Sequence, residues 1–308
     1  MSRNYLLGFV LGIVLIGLLS YRFVWSKPVA LPPPAKLQVA ASFYPLYYFA
    51  QQIGGDKASV INITPAGGEP HDFEPAARDI ARIVGSKLLI LNGGGLETWG
   101  AKIRQNIDPK QTLIVTAGEG LTTQRVMENG ENVIDPHVWL APPLAEQMVD
   151  KIEAGFAQVD PVNGPYYAAN AQVLKVQLHD LDAAYQQGLA ACPKKDFVTS
   201  HEAFGYLATT YHLHQVSIAG LSPDAEPSPQ QLAEISQFAK KNNVKIIFFE
   251  NLVSPKLSQT IATEVGAQTL VLDPIEGLTD ADLRAGKNYL TKMRENLTNL
   301  RIALQCPP

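Results

Sequence analysis

Short apolar runs alternate along this chain with longer segments of helical period. Leu37 to Ala41 reads as a strand, and Tyr44 to Ile53 as a helix stopped by Gly54-Gly55. Ser59 to Thr64 is β-branched and strand-like, and Pro75 to Val84 is helical with Gly85 at its end. Lys87 to Leu91 has the continuous apolar character of a parallel strand buried on both faces. Leu96 to Ile107 predicts a further helix and Thr112 to Thr116 a further strand. This order predicts an α/β lobe with a mostly parallel sheet covered by helices.

From Gly164 to Ala191 the period changes. Leu174, Leu178, Leu181, Tyr185 and Leu189 form one apolar face of a long helix with no internal proline. A crossover needs less, so this helix reads as a rigid rod between two lobes. The alternation then resumes. Phe197 to Ser200, Gln215 to Ile218, Val244 to Phe249 and Thr269 to Leu272 read as strands. Helices are predicted over Ala203 to Tyr211, from Ser228 to about Lys241, over Pro255 to Val265, and over Asn288 to Leu304. Ser228 and Ser254 are the predicted caps of the second and third of these, each followed by a proline. The expected fold is therefore α/β, with two (β/α) lobes joined by one long rigid helix. The expected boundaries are an N-terminal lobe over 37–160, a linking helix over 161–192 and a C-terminal lobe over 193–308.

The first residues differ in kind. Arg3 precedes an apolar run from Tyr5 to Leu19, and Tyr21 to Trp25 follow it. Residues 1–25 read as an export signal or membrane anchor, and the lack of a good small-x-small cleavage site favours the anchor. No cysteine follows the run, which excludes a lipoprotein signal. Residues 26–36 form a proline-rich tether of extended geometry. Export places the body in an oxidising compartment, where Cys192 and Cys306, the two cysteines of the chain, pair as a disulfide.

A formal net charge of −4 supplies no basic field for nucleic acid. The chemistry lies in the histidines. Three of the six follow strand signals in polar loops. His71 lies in Gly67-Gly68-Glu69-Pro70-His71-Asp72-Phe73-Glu74-Pro75, His137 in Asp135-Pro136-His137-Val138-Trp139, and His201 after Thr199-Ser200. Ligands of open α/β sheets gather at carboxyl strand ends. Three imidazoles there predict one transition-metal ion. The loop Leu272 to Thr279 offers a fourth ligand, either Asp273 or Glu276. Glu69, Asp72, Glu74 and Asp135 stand beside these ligands and are candidates to orient the rings. His179 reads as a surface residue of the long helix, and His212 and His214 frame a turn. The run Asn92-Gly93-Gly94-Gly95 lacks phosphate-loop spacing and reads as a tight strand-to-helix turn. No G-x-S-x-G elbow occurs.

Together these motifs resemble the metal-binding receptors of bacterial ABC importers for zinc and manganese, the zinc-uptake substrate-binding proteins and related adhesins. The matching pieces are Gly-Glu-Pro-His-Asp-Phe-Glu-Pro at 68–75, Asp-Pro-His-Val-Trp at 135–139 and Thr-Ser-His-Glu-Ala-Phe-Gly-Tyr-Leu at 199–207. Glu-Pro-Ser-Pro at 226–229 and Leu-Asp-Pro-Ile-Glu-Gly-Leu-Thr at 272–279 complete the set. The resemblance implies His71, His137, His201 and Glu276 as the metal ligands, with Asp273 as the alternative fourth. It implies a monomeric, extracytoplasmic receptor at the outer face of the cytoplasmic membrane or in the periplasm. An ABC permease and its ATPase would be separate chains. Two departures stand out. The stretch Thr122 to Val133 lacks the histidines that many zinc receptors carry there, and no lipidated cysteine tethers the chain.

The third ligand bears on the metal. The manganese branch typically has Glu where this chain has His201, and a nitrogen-rich set suits zinc over manganese. The expected activity is capture and delivery of zinc, not catalysis. Alternatives are a manganese receptor of the same type, a secreted zinc hydrolase with an open water position, and a surface adhesin.

Overall fold

The computed structural model describes residues 36–128 and 130–307. The signal or anchor read over 1–25 and nearly all of the tether over 26–36 lie outside the described residues. Among the described residues no helix is long and apolar enough to cross a membrane.

The first sheet has strands β1 (Leu37–Ala41), β2 (Ala58–Asn62), β3 (Leu88–Leu91) and β4 (Leu113–Thr116), in the order β2-β1-β3-β4 and all parallel. Helices α1 (Tyr44–Gly54), α2 (Ala77–Val84) and α3 (Gly100–Asn106) connect them. All four residues of β3 are buried, because this central strand is covered on both faces. An antiparallel hairpin, β5 (Arg125–Glu128) with β6 (Glu131–Ile134), follows, and then α4 (Pro142–Val159).

Helix α5 (Gly164–Ala190) has 27 residues, which is about 40 Å of rod at 1.5 Å per residue. Its buried residues include all five of the predicted apolar stripe. It touches both halves of the molecule. Asn170 Nδ2 donates to the Ile53 carbonyl at the end of α1, 3.0 Å away. The Tyr185 hydroxyl donates to the Met293 carbonyl of α10 (Tyr289–Ala303) at 2.7 Å.

The second sheet repeats the plan. Strands β7 (Asp196–Thr199), β8 (His214–Ser217), β9 (Ile246–Phe249) and β10 (Gln268–Val271) run parallel in the order β10-β9-β7-β8. Between them lie α6 (Gly205–Thr210), α7 (Pro229–Lys241) and α8 (Lys256–Val265), and α9 (Asp280–Arg284) precedes α10. One apolar core runs through both halves, from Phe43, Phe49 and Trp139 through Leu174 and Leu178 to Phe197, Phe248 and Tyr289. A smaller cluster backs each sheet on its outer face, around Ile83, Leu89 and Trp99 in one and Val198, Ile235 and Ile247 in the other. The architecture is two parallel-sheet α/β lobes with a long helix, as the periodicity predicts.

Two local expectations change. The third helix begins at Gly100 rather than Leu96. Glu97 is drawn back into the preceding turn, where its carboxylate accepts from the backbone N–H groups of Asn92 and Gly93 and from the Ser42 hydroxyl. Gly93, Gly94 and Gly95 all have positive φ there, which explains the glycine run. Ser254 does not cap α8, which starts after Pro255 with no side-chain cap. Ser228 does cap α7, accepting from Gln231 N at 3.2 Å while the Gln231 side chain accepts from Ser228 N. Cys192, just after α5, is bonded to Cys306, just after α10.

Candidate metal centre

Four loops at carboxyl strand ends build the centre. His71 lies in the loop between β2 and α2. There Glu69 accepts from the His71 backbone N–H at 3.1 Å. Gly67 N donates to the Leu278 carbonyl at 3.1 Å, which ties this loop to the one after β10. The backbone of Gly277 runs beside Gly68, whose carbonyl would be in van der Waals contact, at 3.4 Å, with a Cβ at 277.

His137 follows β6. Asp135 Oδ1 accepts from the His137 backbone N–H at 2.9 Å and lies 2.8 Å from its ring Nδ1. Asn92 Nδ2 fixes the same loop by donating to the Pro136 carbonyl at 2.9 Å. His201 follows β7. Its Nδ1 lies 2.7 Å from Glu250 Oε1, and the Ser200 hydroxyl donates to the same oxygen. Its carbonyl accepts from Thr199 Oγ1 at 2.8 Å and Gln215 Nε2 at 2.9 Å.

Glu276, after β10, stands at the point where these rings converge. Its Oε1 lies 3.3 Å from His71 Nε2, 3.2 Å from His137 Nε2 and 3.5 Å from His201 Nε2, and the first two nitrogens are 3.2 Å apart. A tetrahedral ion with ligand bonds of about 2.0–2.1 Å sets its ligands about 3.3–3.4 Å from one another. The four measured edges bracket that value.

Asp135 and Glu250 are acceptors, so the Nδ1 atoms of His137 and His201 carry protons directed at them, and each ring, once neutral, turns its Nε2 lone pair to the centre. His137, His201 and Glu276 are at most 1 % exposed. His201 Nε2 and Glu276 Oε2 have no hydrogen-bond partner. Electron-rich atoms crowded in a dry site demand a cation or protons between them. Burial by itself lowers the His201 imidazole, but the carboxylates of Glu250 and Glu276 outweigh it and hold it well above the ordinary histidine range. His137 is likewise raised, burial being outweighed by Asp135 and Glu276. Burial works to raise the Glu276 carboxyl, yet the imidazoles of His201, His137 and His71 hold it well below its usual range. Burial, and then the charge of Glu276, push Glu69 up to about 9.

His71, His137, His201 and Glu276 therefore offer four ligand atoms within 4.8 Å of one another. A family model described as the zinc-uptake complex component A, periplasmic (ZnuA), matches residues 39–303. The chain belongs to the ZnuA family. It is 40 % identical over 283 residues to the high-affinity zinc uptake system protein ZnuA of Bacillus subtilis, covering 87 % of this chain and 88 % of that one. It is 39 % identical over 277 residues to the zinc-binding lipoprotein AdcA of Streptococcus pneumoniae, covering 86 % of this chain. The match spans 55 % of that longer relative. The crystal structure of the Zn(II)-bound ZnuA-like domain of Streptococcus pneumoniae AdcA superposes with a TM-score of 0.76 at 39 % identity, over 88 % of this chain and 99 % of that one.

Within this ZnuA-family chain, Asp273 stands apart from the cluster. Its carboxylate is 2.5 Å from Lys292 Nζ and accepts from Ile275 N at 2.8 Å. Of the four acids read as ring-orienting, Asp135 alone bonds a ring. Glu69 bonds the His71 backbone, Glu74 accepts from the Thr98 hydroxyl at 3.3 Å, and Asp72 stands beside Asp224. His179 is exposed, and so is His214, whose ring pairs with Asp196 at 2.8 Å. Sequence reasoning missed Glu250. Its signal was an acid directly after the apolar run of β9, the same kind of position that marked the histidines.

Proposed function

We propose that this chain is the extracytoplasmic zinc receptor of an ABC importer, with His71, His137, His201 and Glu276 as the ligands of one transported zinc ion. The convergence of three Nε2 atoms on Glu276 Oε1 at tetrahedral spacing carries the reading. The zinc-binding relatives and their shared family support it. Four protein donors saturate a tetrahedral ion, which favours capture over hydrolysis, because a catalytic zinc keeps a position for water. The nitrogen-rich donor set favours zinc over manganese.

Two ligands come from each lobe, the lobes spanning 37–160 and 193–308 with the linking helix over 161–192. Delivery then follows from a small separation of the lobes on a permease, or from protonation of the imidazoles. The permease and its ATPase are separate chains, and the apolar segment over 1–25 holds the monomeric receptor at the membrane. Metal analysis of the purified protein beside His201→Ala tests the site. Wild type is expected to hold one tightly bound zinc and the variant to lose it. Equal, stoichiometric binding by both would sink the assignment.

A further inference from the structure

The residue before Glu276 has a backbone conformation that its side chain disfavours. Ile275 lies at φ +60°, and of the four non-glycine residues with left-handed φ among the described residues it alone is β-branched. It is also fully buried. Such a conformation persists where its surroundings over-determine it, and here they do. Asp273 Oδ1 accepts from the Ile275 N–H at 2.8 Å. The other oxygen of that carboxylate lies 2.5 Å from Lys292 Nζ and accepts from Asn251 Nδ2 at 2.9 Å. Asn296 grips the Asp273 backbone from both sides, its Oδ1 accepting from Asp273 N at 2.9 Å and its Nδ2 donating to Asp273 O at 2.6 Å. Trp139 Nε1 donates to the Pro274 carbonyl at 2.8 Å.

Lys292 is 1 % exposed, a depth at which a lysine needs a partner. Asp273 is its close partner, with Asp282 and Glu295 3.8 and 3.9 Å away. None of these groups is within the metal cluster, so the ion pair is not explained by coordination. It is explained by the turn it holds.

We propose that the buried Asp273 carboxylate, anchored by Lys292, is a positioning device for the metal centre: its Oδ1, as acceptor for the Ile275 N–H, locks Ile275 in its left-handed conformation and so aims the Glu276 carboxylate at the three imidazoles. Lys292 and Asn251 fix the carboxylate of Asp273. That carboxylate fixes the Ile275 N–H. The resulting turn points the next side chain into the cluster. Without the acceptor, Ile275 relaxes toward the extended or right-handed region, and Glu276 swings away from the rings. A ligand held in place before binding adds affinity that a mobile one spends on ordering.

This inference rests on Glu276 being a ligand. It is tested on the purified full chain with two double variants that remove both buried charges together, so that neither leaves the other unpaired. Asp273→Ala with Lys292→Met deletes the acceptor for Ile275 N–H. Asp273→Asn with Lys292→Met keeps it. The first is expected to bind zinc about tenfold to a hundredfold more weakly than wild type. Its cobalt(II) complex should show altered visible bands, a sign of changed coordination geometry. The second should retain the wild-type cobalt spectrum and near wild-type affinity. Wild-type affinity and spectrum in both variants, with only a lowered melting temperature, would show a structural role and overturn the proposal. Equal loss in both would also overturn it, because the acceptor would then not be the determinant. A wild type that binds no zinc would instead defeat the assignment of the site. Hydrogen exchange on the zinc-free wild type supplies a check independent of variant folding. The Ile275 amide is expected to be protected, and free exchange there would overturn the proposal.

Discussion

Glu250 Oε1 lies 2.7 Å from the Nδ1 of His201, across 49 positions of sequence. The contact follows from strand pairing. Val198 of β7 is aligned with Ile247 of β9, and carrying that register to the strand ends sets His201 beside Glu250. Glu250 thereby selects the tautomer that presents Nε2 to the centre. Glu250→Gln is expected to weaken zinc binding about tenfold to a hundredfold, as loss of such outer partners typically does. Isothermal titration against a competing chelator measures this, and an unchanged dissociation constant would remove Glu250 from the centre's design.

Zinc loading is expected to release protons near neutral pH, because His201 is held well above the ordinary histidine range and His137 is raised. Affinity therefore falls as pH drops, and the dependence extends above the usual histidine value. Calorimetry in two buffers of different ionisation enthalpy counts the protons.

The zinc-free protein is expected to respond oppositely. A raised folded-state pKa contributes stability that is complete below the unfolded value, about 6.5, and is lost as pH rises through the folded value. The His201 and His137 contribution to the melting temperature of the zinc-free chain therefore declines from pH 6 to pH 8. The zinc-loaded chain gains over the same range, as proton competition fades. Melting curves with and without zinc at the two pH values distinguish these trends.

Trp139 is fully buried, and its Nε1–H satisfies the Pro274 carbonyl across the two lobes. Trp139→Phe leaves that carbonyl without its donor and is expected to cost about 1–3 kcal/mol of folding stability. A urea titration reads this directly.

Cys192 and Cys306 close a loop with a sequence separation of 114. Chain entropy alone assigns such a bridge roughly 4–5 kcal/mol. Replacing both by serine is expected to lower stability on that scale while zinc stoichiometry stays at one, since neither sulfur touches the centre. Loss of zinc binding by the folded variant would show a coupling that this geometry does not contain.

Local signals carried much of the fold into view. The stripe Leu174, Leu178, Leu181, Tyr185 and Leu189 predicted the long helix, and every member is buried. The strands at Leu37, Leu88, Phe197 and Ile246 are apolar runs with turn residues after them. Helix α4 was missed even though Ala145, Met148, Val149, Ile152 and Phe156 carry helical spacing. Pro142 and Pro143 open it, where proline suits the first helical turn. The hairpin of β5 and β6 was missed because each strand has four residues, two of them polar and two exposed, too short a run to show an alternation.

The sequence by itself determined which loops carry metal-binding chemistry, because imidazoles and carboxylates at strand ends are local features. It placed His71, His137 and His201 there, and left Asp273 and Glu276 as rivals when read from the residues alone. The tertiary structure gives the two different surroundings. Asp273 is drawn to Lys292 and the Ile275 N–H, while Glu276 reaches the three rings. Glu250 likewise became visible only once β7 and β9 were paired. The physical reason is the same in each case. A residue's type and period are set by its neighbours in sequence, but the partner of a buried charge is chosen by sheet order and loop packing between positions far apart along the chain.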